Sequence, residues 1–248
     1  MYDLIGDIHG HAAELTSLLE LLGYDRPRGY YSHPARKAVF VGDFIDRGPQ
    51  IREVLALVRP MVDRGSALAV MGNHEFNALC YHTPDSDRPG DFLRSHSDKN
   101  VQQHRSTLVQ VPSKELDEYL EWFRSLPMWL DLEGLRVVHA CWDDRQIAVI
   151  RSGIVQNRGI TSGFLHQAST KDSPLHLAIE DVLKGKEIRL PDGMSYFDKD
   201  GHERHAMRTK WYESAAQRTY RSYALTADPD LPAGFVQPSP STCTVFII

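Results

Sequence analysis

Ala38-Val39-Phe40-Val41-Gly42-Asp43-Phe44-Ile45-Asp46-Arg47-Gly48-Pro49 joins an apolar run directly to a knot of charge. A short continuous apolar run reads as a buried strand. From Gly42 to Pro49 the chain then carries two carboxylates, one guanidinium and two glycines. Core packing has no use for that mixture. A solvated turn would accommodate it. So would a chemical site, with one carboxylate to hold a metal, a second to orient an acid or base, and an arginine to grip an anion. The stretch alone does not choose, and the rest of the chain must.

The same pattern occurs on either side. Tyr2-Asp3-Leu4-Ile5 is a strand candidate that runs into Gly6-Asp7-Ile8-His9-Gly10. Asp7 and His9 are two apart and point to one side of an extended backbone, a metal half-site common enough to arise by chance. His11 to Gly23 follows as an amphipathic helix with Leu15, Leu18, Leu19 and Leu22 on one side. Tyr24 to Arg36 reads as loop. Ile51 to Val62 is a second helix, and Leu68-Ala69-Val70-Met71 a third strand that ends in Gly72-Asn73-His74-Glu75 before another helix. Strand, charged loop and helix, three times over, predict an α/β layered domain with a largely parallel sheet. In such sheets the site lies just past the C-terminal ends of the strands, where these polar groups sit.

Beyond Tyr81 the reading is coarser. Pro84 to Pro112 is polar and predicts loops and short helices at the rim of the site. Ser113 to Ser125 predicts a helix with Ser113 as its N-cap. Met128–Leu132 and Leu135–Val138 predict a hairpin around Glu133-Gly134, which delivers His139, and Asp143-Asp144 is placed to cap a following helix. Ser152 to Lys186 predicts helical pieces broken at Gly153, Gly163, Pro174 and Gly185. A basic block runs from His202 to Trp211, a loop from Asp228 to Pro240, and a last strand from Thr242 to Ile248. Neither a repeat nor a linker divides the chain, so residues 1–248 are expected to form a single domain.

Bulk properties exclude some classes. The chain has 248 residues, 42% hydrophobic and 25% charged, with a net charge of −5. That balance gives no electrostatic case for general nucleic-acid binding. No apolar run is long enough to span a membrane. Three widely spaced cysteines, Cys80, Cys141 and Cys243, predict free thiols in a reducing compartment, and the N-terminus has no signal-peptide pattern. A cytoplasmic protein is expected. Oligomeric state leaves no mark in the sequence.

Written as motifs, the charged loops are GDIHG (6–10), GDFIDRG (42–48), GNHE (72–75) and the strand-borne VVHA (137–140). Together they resemble the calcineurin-like metallophosphoesterase superfamily, in particular its phosphoprotein-phosphatase branch, to which DRG and the intact GNHE point. His139-Ala140-Cys141-Trp142-Asp143 is similar to bacterial members related to PrpE-type phosphatases and symmetrical diadenosine tetraphosphatases. The motifs span Gly6 to His139, just over half of the chain.

This resemblance implies a β-sandwich flanked by helices, with a helical and loop insert at the site rim. It implies two divalent ions, Mn²⁺ foremost, with Fe, Mg²⁺ or Zn²⁺ also suited to a mixed oxygen and imidazole donor set. Asp7 and His9 would hold the first, Asp43 would bridge, and Asn73 and His139 would hold the second. A hydroxide shared between ions about 3.5–4 Å apart would attack phosphorus. His74, oriented by Asp46, would protonate the leaving oxygen, and Arg47 would grip the phosphoryl oxygens. Arg208 is a candidate second phosphate clamp or simply part of a solvated basic face. Glu75 is expected to be structural.

The implied function is a metal-dependent phosphoesterase, with a phosphoprotein (Ser/Thr or Tyr) as the first substrate and a dinucleoside polyphosphate as the alternative. A non-catalytic binding module on the same fold is the third reading. Members of the branch carry a further histidine in a Gly-His pair after a late strand. Here the chain stops at Ile248, so truncation at the C-terminus is expected, with His202 a formal rival for the missing ligand. The remaining histidines, His11, His33, His82, His96, His104, His166, His176 and His205, are expected at the surface or rim, with His96 and His104 near enough to meet substrate. Trp129, Trp142 and Trp211 are read as core in preference to nucleobase platforms, Trp122 as packing or a rim contact, and Cys141 is not made a nucleophile.

Overall fold

A computed structural model describes residues 1–197, 201, 203–226, 231, 234 and 236. Strand β1 (Tyr2–Ile5), helix α1 (Ala12–Leu21), strand β2 (Lys37–Phe40), helix α2 (Ile51–Asp63), strand β3 (Ala67–Ala69) and helix α3 (Asn73–Tyr81) follow one another as the alternating pattern predicts. The strands form one parallel sheet in the order β1-β2-β3, with β2 in the middle.

Alternation along the strands explains how this sheet is covered. Ala38 and Phe40 on β2, and Ala67, Ala69 and Met71 on or just after β3, belong to the main core with the helices. Val39 and Val70, one residue out of phase, are fully buried against Val137, with Val41, Leu68, Leu130 and Leu135 around them. The second face is therefore covered by the antiparallel hairpin of β4 (Trp129–Leu132) and β5 (Leu135–Val138). A sheet buried on both faces has no room for polar alternation, which is why Ala38 to Val41 is apolar throughout. The result is sheet on sheet with helices outside, as the resemblance implies.

Between α3 and the hairpin lie α4 (Asp98–Gln110) and α5 (Ser113–Ser125). The 84–112 segment is thus more than rim. Its thirteen-residue helix α4 starts on a Ser97 cap and turns two polar residues, His104 and Thr107, into the interior. The cap of α5 is Pro112, not Ser113, which is already its first helical residue. After the hairpin come α6 (Asp144–Asn157), α7 (Ser162–Ser169) and α8 (Pro174–Lys184). Asp143 caps α6 by accepting from the N–H groups of Arg145 and Gln146, as expected. Gly153 does not break α6. It is buried there because a Cβ would lie 3.2 Å from Leu175 and Phe164, so the glycine serves the close approach of α7 and α8. Gly163 falls within α7, whereas Pro174 opens α8 and Gly185 ends it.

Strand pairs β6 (Glu187–Arg189) with β9 (Ala206–Arg208), and β7 (Tyr196–Phe197) with β8 (Glu203–Arg204), enclose a smaller apolar cluster around Met207. It also takes in Tyr220 and Tyr223 from the four-residue helix α9 (Tyr220–Tyr223). All four tryptophans pack against or within the main core. Cys80 and Cys141 are buried, and burial pushes the Cys80 thiol up to about 11. Among the described residues no helix is long and apolar enough to cross a membrane. The strand expected over Thr242–Ile248, Cys243 and His202 lie outside the described residues.

The loops past the strand ends are packed backbone to backbone. Gly42, at φ 94°, lies so close to the β3 end that a Cβ would sit 2.3 Å from the Gly72 nitrogen. A Cβ on Gly48 would sit 2.1 Å from the carbonyl oxygen of His9. The fully buried Glu75 then ties the first two of these loops together. One carboxylate oxygen accepts from Phe44 N, and the other from Asp43 N and Gly72 N, at 2.8–2.9 Å. Its expected structural role is thereby given a form.

Gly42→Ala combines a disfavoured backbone region with a clash against main chain that cannot rotate away. It should cost of order 3 kcal/mol or more, seen as a large drop in thermal midpoint. Glu75→Ala strands three buried N–H groups at about 1–3 kcal/mol each. Chemical denaturation should show a loss of at least about 3 kcal/mol by the same reasoning; an unchanged midpoint would mean that water replaces the carboxylate without penalty.

Candidate metal centre

One oxygen of Asp43 is the point on which the loops converge. The Nε2 atoms of His9, His139 and His74 lie 3.4, 3.6 and 4.0 Å from Asp43 Oδ2. Asp7 reaches in from the exposed side, 3.9 Å from His9 Nε2. Asn73 Oδ1 is 3.1 Å from His139 Nε2. β1 delivers Asp7 and His9, β2 delivers Asp43, β3 delivers Asn73 and His74, and β5 delivers His139. The five residues expected to hold metal therefore share one place.

Backbone contacts fix which face of each imidazole points inward. His9 Nδ1 is 2.8 Å from the carbonyl of Ile45, and His139 Nδ1 is 2.6 Å from the carbonyl of Val41. A carbonyl only accepts, so both rings carry their proton on Nδ1 and turn the Nε2 lone pair toward Asp43. His9 Nε2 is buried with no hydrogen-bond partner. Lone pairs crowded against a carboxylate oxygen repel one another, and a buried polar atom without a partner is costly. A cation among them converts the repulsion into coordination. The donor set thus fits a divalent metal centre on geometry alone.

Two overlapping groups could each hold an ion: His9, Asp43 and His74, and Asp7, Asp43 and His139. Asp43 belongs to both. The groups do not divide as the resemblance implies, because Asp7 falls with His139 and His74 falls with His9.

His74 has a second partner. Its Nδ1 is 2.6 Å from Asp46 Oδ2. Burial lowers the imidazole pKa, but the Asp46 hydrogen bond and the charges of Asp43 and Asp46 outweigh it, and the net direction is upward. For Asp46, burial pushes upward and is overcome by the hydrogen bonds from His104 and His74, leaving the carboxyl well below its ordinary value.

Residues of α4 complete this corner, and the sequence reading missed them. His104 is 4% exposed, not a rim histidine, and its Nδ1 is 2.8 Å from Asp46 Oδ1. Thr107 is fully buried; its hydroxyl donates to Asp46 Oδ1 at 2.6 Å and accepts from Asp46 N at 3.0 Å. The available signal was their spacing. Three apart, they share one face of an otherwise polar helix.

Arg47 is exposed beside the loop, near enough to His9 for its charge to add to the burial that lowers that imidazole's pKa. Arg208 sits elsewhere, exposed on β9, where its partner is Glu187, 3.7 Å away, and not a residue of this cluster. His9, Asp43, Asp46 and Arg47 all have φ between 44° and 67°. Each such non-glycine residue costs of order 1–3 kcal/mol, and that strain is concentrated where the chemistry lies.

The chain was compared with known proteins. It is 50% identical over 74 residues to the bis(5'-nucleosyl)-tetraphosphatase PrpE [asymmetrical] of Halalkalibacterium halodurans, covering 29% of this chain and 30% of that protein. It is 31% identical over 140 residues to the protein of the same name from Oceanobacillus iheyensis, covering 56% and 54%. The symmetrical bis(5'-nucleosyl)-tetraphosphatase of Methylobacillus flagellatus is 33% identical over 136 residues, covering 55% and 41%. The chain therefore spans between about a third and about half the length of these relatives. The family model for calcineurin-like phosphoesterases matches residues 2–190, which takes in every converging loop. On that match the chain belongs to the calcineurin-like phosphoesterase family.

Proposed function

We propose that this protein is a metal-dependent hydrolase of dinucleoside polyphosphates. The observation that carries the hydrolase reading is the convergence of three imidazole nitrogens on Asp43 Oδ2, two of them held as lone-pair donors by backbone carbonyls. The substrate class is supported by the names of the relatives, which are bis(5'-nucleosyl)-tetraphosphatases. They reverse the order in which the sequence ranked phosphoprotein and nucleotide.

Asp7, His9, Asp43, Asn73 and His139 would hold two divalent ions, for which Mn²⁺ remains the first candidate. When bound, the ions supply Lewis-acid polarisation and an activated water. The remaining work falls to the chain. Arg47, exposed and near enough to His9 for its charge to be felt there, would offer a planar guanidinium that can pair with two phosphoryl oxygens. As water adds to phosphorus it gives up a proton to solvent, the bond from phosphorus to the bridging oxygen breaks, and that oxygen, leaving on a phosphate, is stabilised by a proton. His74, whose pKa is raised, would carry one on Nε2, on the side of the centre, while its Nδ1–H stays on Asp46. After transfer the imidazole is neutral and still held in place. Positioned acids of this kind contribute about 10²–10⁴-fold.

The Mn²⁺-loaded protein should hydrolyse diadenosine tetraphosphate and leave a phosphopeptide largely untouched. The reverse preference would return the phosphoprotein reading, and inactivity toward both and toward an aryl phosphate would favour a binding module. His74→Ala should slow turnover by about 10²-fold or more with metal content near normal. Asp43→Asn should lose metal by elemental analysis; full metal content and full rate would remove Asp43 from the bridging role.

A further inference from the structure

The Asp46 carboxylate orients His74, yet a carboxylate can rotate about its own bond and offer either oxygen. What prevents this lies on the far side of the dyad. Oδ2 meets His74 Nδ1 at 2.6 Å, while Oδ1 meets Thr107 Oγ1 at 2.6 Å and His104 Nδ1 at 2.8 Å. Every neighbour on this carboxylate is a potential donor. His104 is itself held from behind, because its Nε2 lies 3.2 Å from Nε2 of His82. Two imidazole nitrogens at that distance share one proton.

We infer that His104 is a positioning residue for the acid His74. Its Nδ1–H pins Asp46 Oδ1, and His82 fixes the tautomer in which that proton is available. A carboxylate that accepts from His104 on Oδ1 is best matched by Nδ1–H. In the neutral ring His104 Nε2 is then a lone pair, and His82 supplies the proton between the two rings. The donors therefore run in one direction, from His82 to His104 and from His104 to Asp46. Asp46 stays anionic with Oδ2 aimed at His74. The ring of His104 is also boxed in by Tyr81, 5.1 Å away between centroids, and by His82 at 5.4 Å. None of these residues is among those assigned to metal, and α4 meets the charged loop through side chains on Asp46 and through Ser106 and Gln110, which donate to the backbone carbonyls of Arg47 and Gly48.

This inference rests on His74 acting as the acid. An acid matters most when the leaving oxygen is basic, so the test compares an alkyl phosphate with a dinitrophenyl phosphate on Mn²⁺-loaded protein. His74→Ala serves as the reference: a loss at least tenfold larger for the alkyl ester supports the acid reading. His104→Leu should then show the same selectivity in kcat, with KM and metal content little changed. His104→Asn, whose amide N–H falls near the place of Nδ1–H, should recover most of the rate, whereas His104→Gln should not. If His74→Ala is selective and His104→Leu is not, the positioning role is wrong while the acid stands. If His74→Ala slows both esters equally, the acid reading fails and the inference with it. A readout without turnover is the histidine tautomer. Long-range ¹H–¹⁵N spectra of the full chain without added metal should show His104 protonated at Nδ1 and not at Nε2. The opposite tautomer would overturn the proposal.

Discussion

Repulsion is the constraint on which this domain depends. The unprotonated Nε2 atoms of His9 and His139 are held 3.4 and 3.6 Å from one carboxylate oxygen of Asp43, an arrangement that would open at once if the loops were free. They are not free. Gly42 touches Gly72, Gly48 touches the His9 carbonyl, and Glu75 gathers amides from two loops. Four residues in left-handed backbone are kept there by the same contacts. The parallel sheet, covered on both faces, provides the rigid base that such strain requires. Fold energy is thereby converted into a preformed centre for cations.

Much of this was legible in the sequence because it is local. Strand ends, glycine pairs and charged residues fall within a few positions of one another in Gly6–Gly10, Gly42–Pro49 and Gly72–Glu75, and the structure brings those short stretches together at one end of one sheet. The hairpin was legible for the same reason, from two apolar runs around Gly134. The role of α4 was not. His104 and Thr107 are buried because they meet Asp46, some sixty positions earlier, and a polar helix gives no warning that one face is internal. Gly153 was misread because a close helix contact and a helix break leave the same residue in the sequence. Ser113 was misread by a single position at a helix start, where Pro112 supplies the preceding turn.

The proposed function also separates bond-breaking chemistry from substrate recognition in physical terms. In the proposed reaction the centre would meet only phosphoryl oxygens, whatever they are attached to. Discrimination between a nucleotide and a peptide must come from surfaces beyond it, and the family match to residues 2–190 leaves the last strands and α9 outside that shared frame. Arg208 belongs to that outer part, paired with Glu187.

His139 differs from the other donors in how it arrives. The others leave the ends of the parallel sheet, but His139 rides on a two-stranded hairpin joined to that sheet by side-chain packing around Val39, Val70 and Val137. It is further joined by its own ring, through Val41 O. No strand pairing joins this hairpin to the parallel sheet among the described residues, so the two layers can part without breaking a sheet ladder. Any ion shared between Asp43 and His139 therefore acts as a rivet between two layers, and its binding free energy adds to the stability of the hairpin. Metal occupancy and hydrogen-exchange protection along Leu130–Val138 are two measures of one equilibrium.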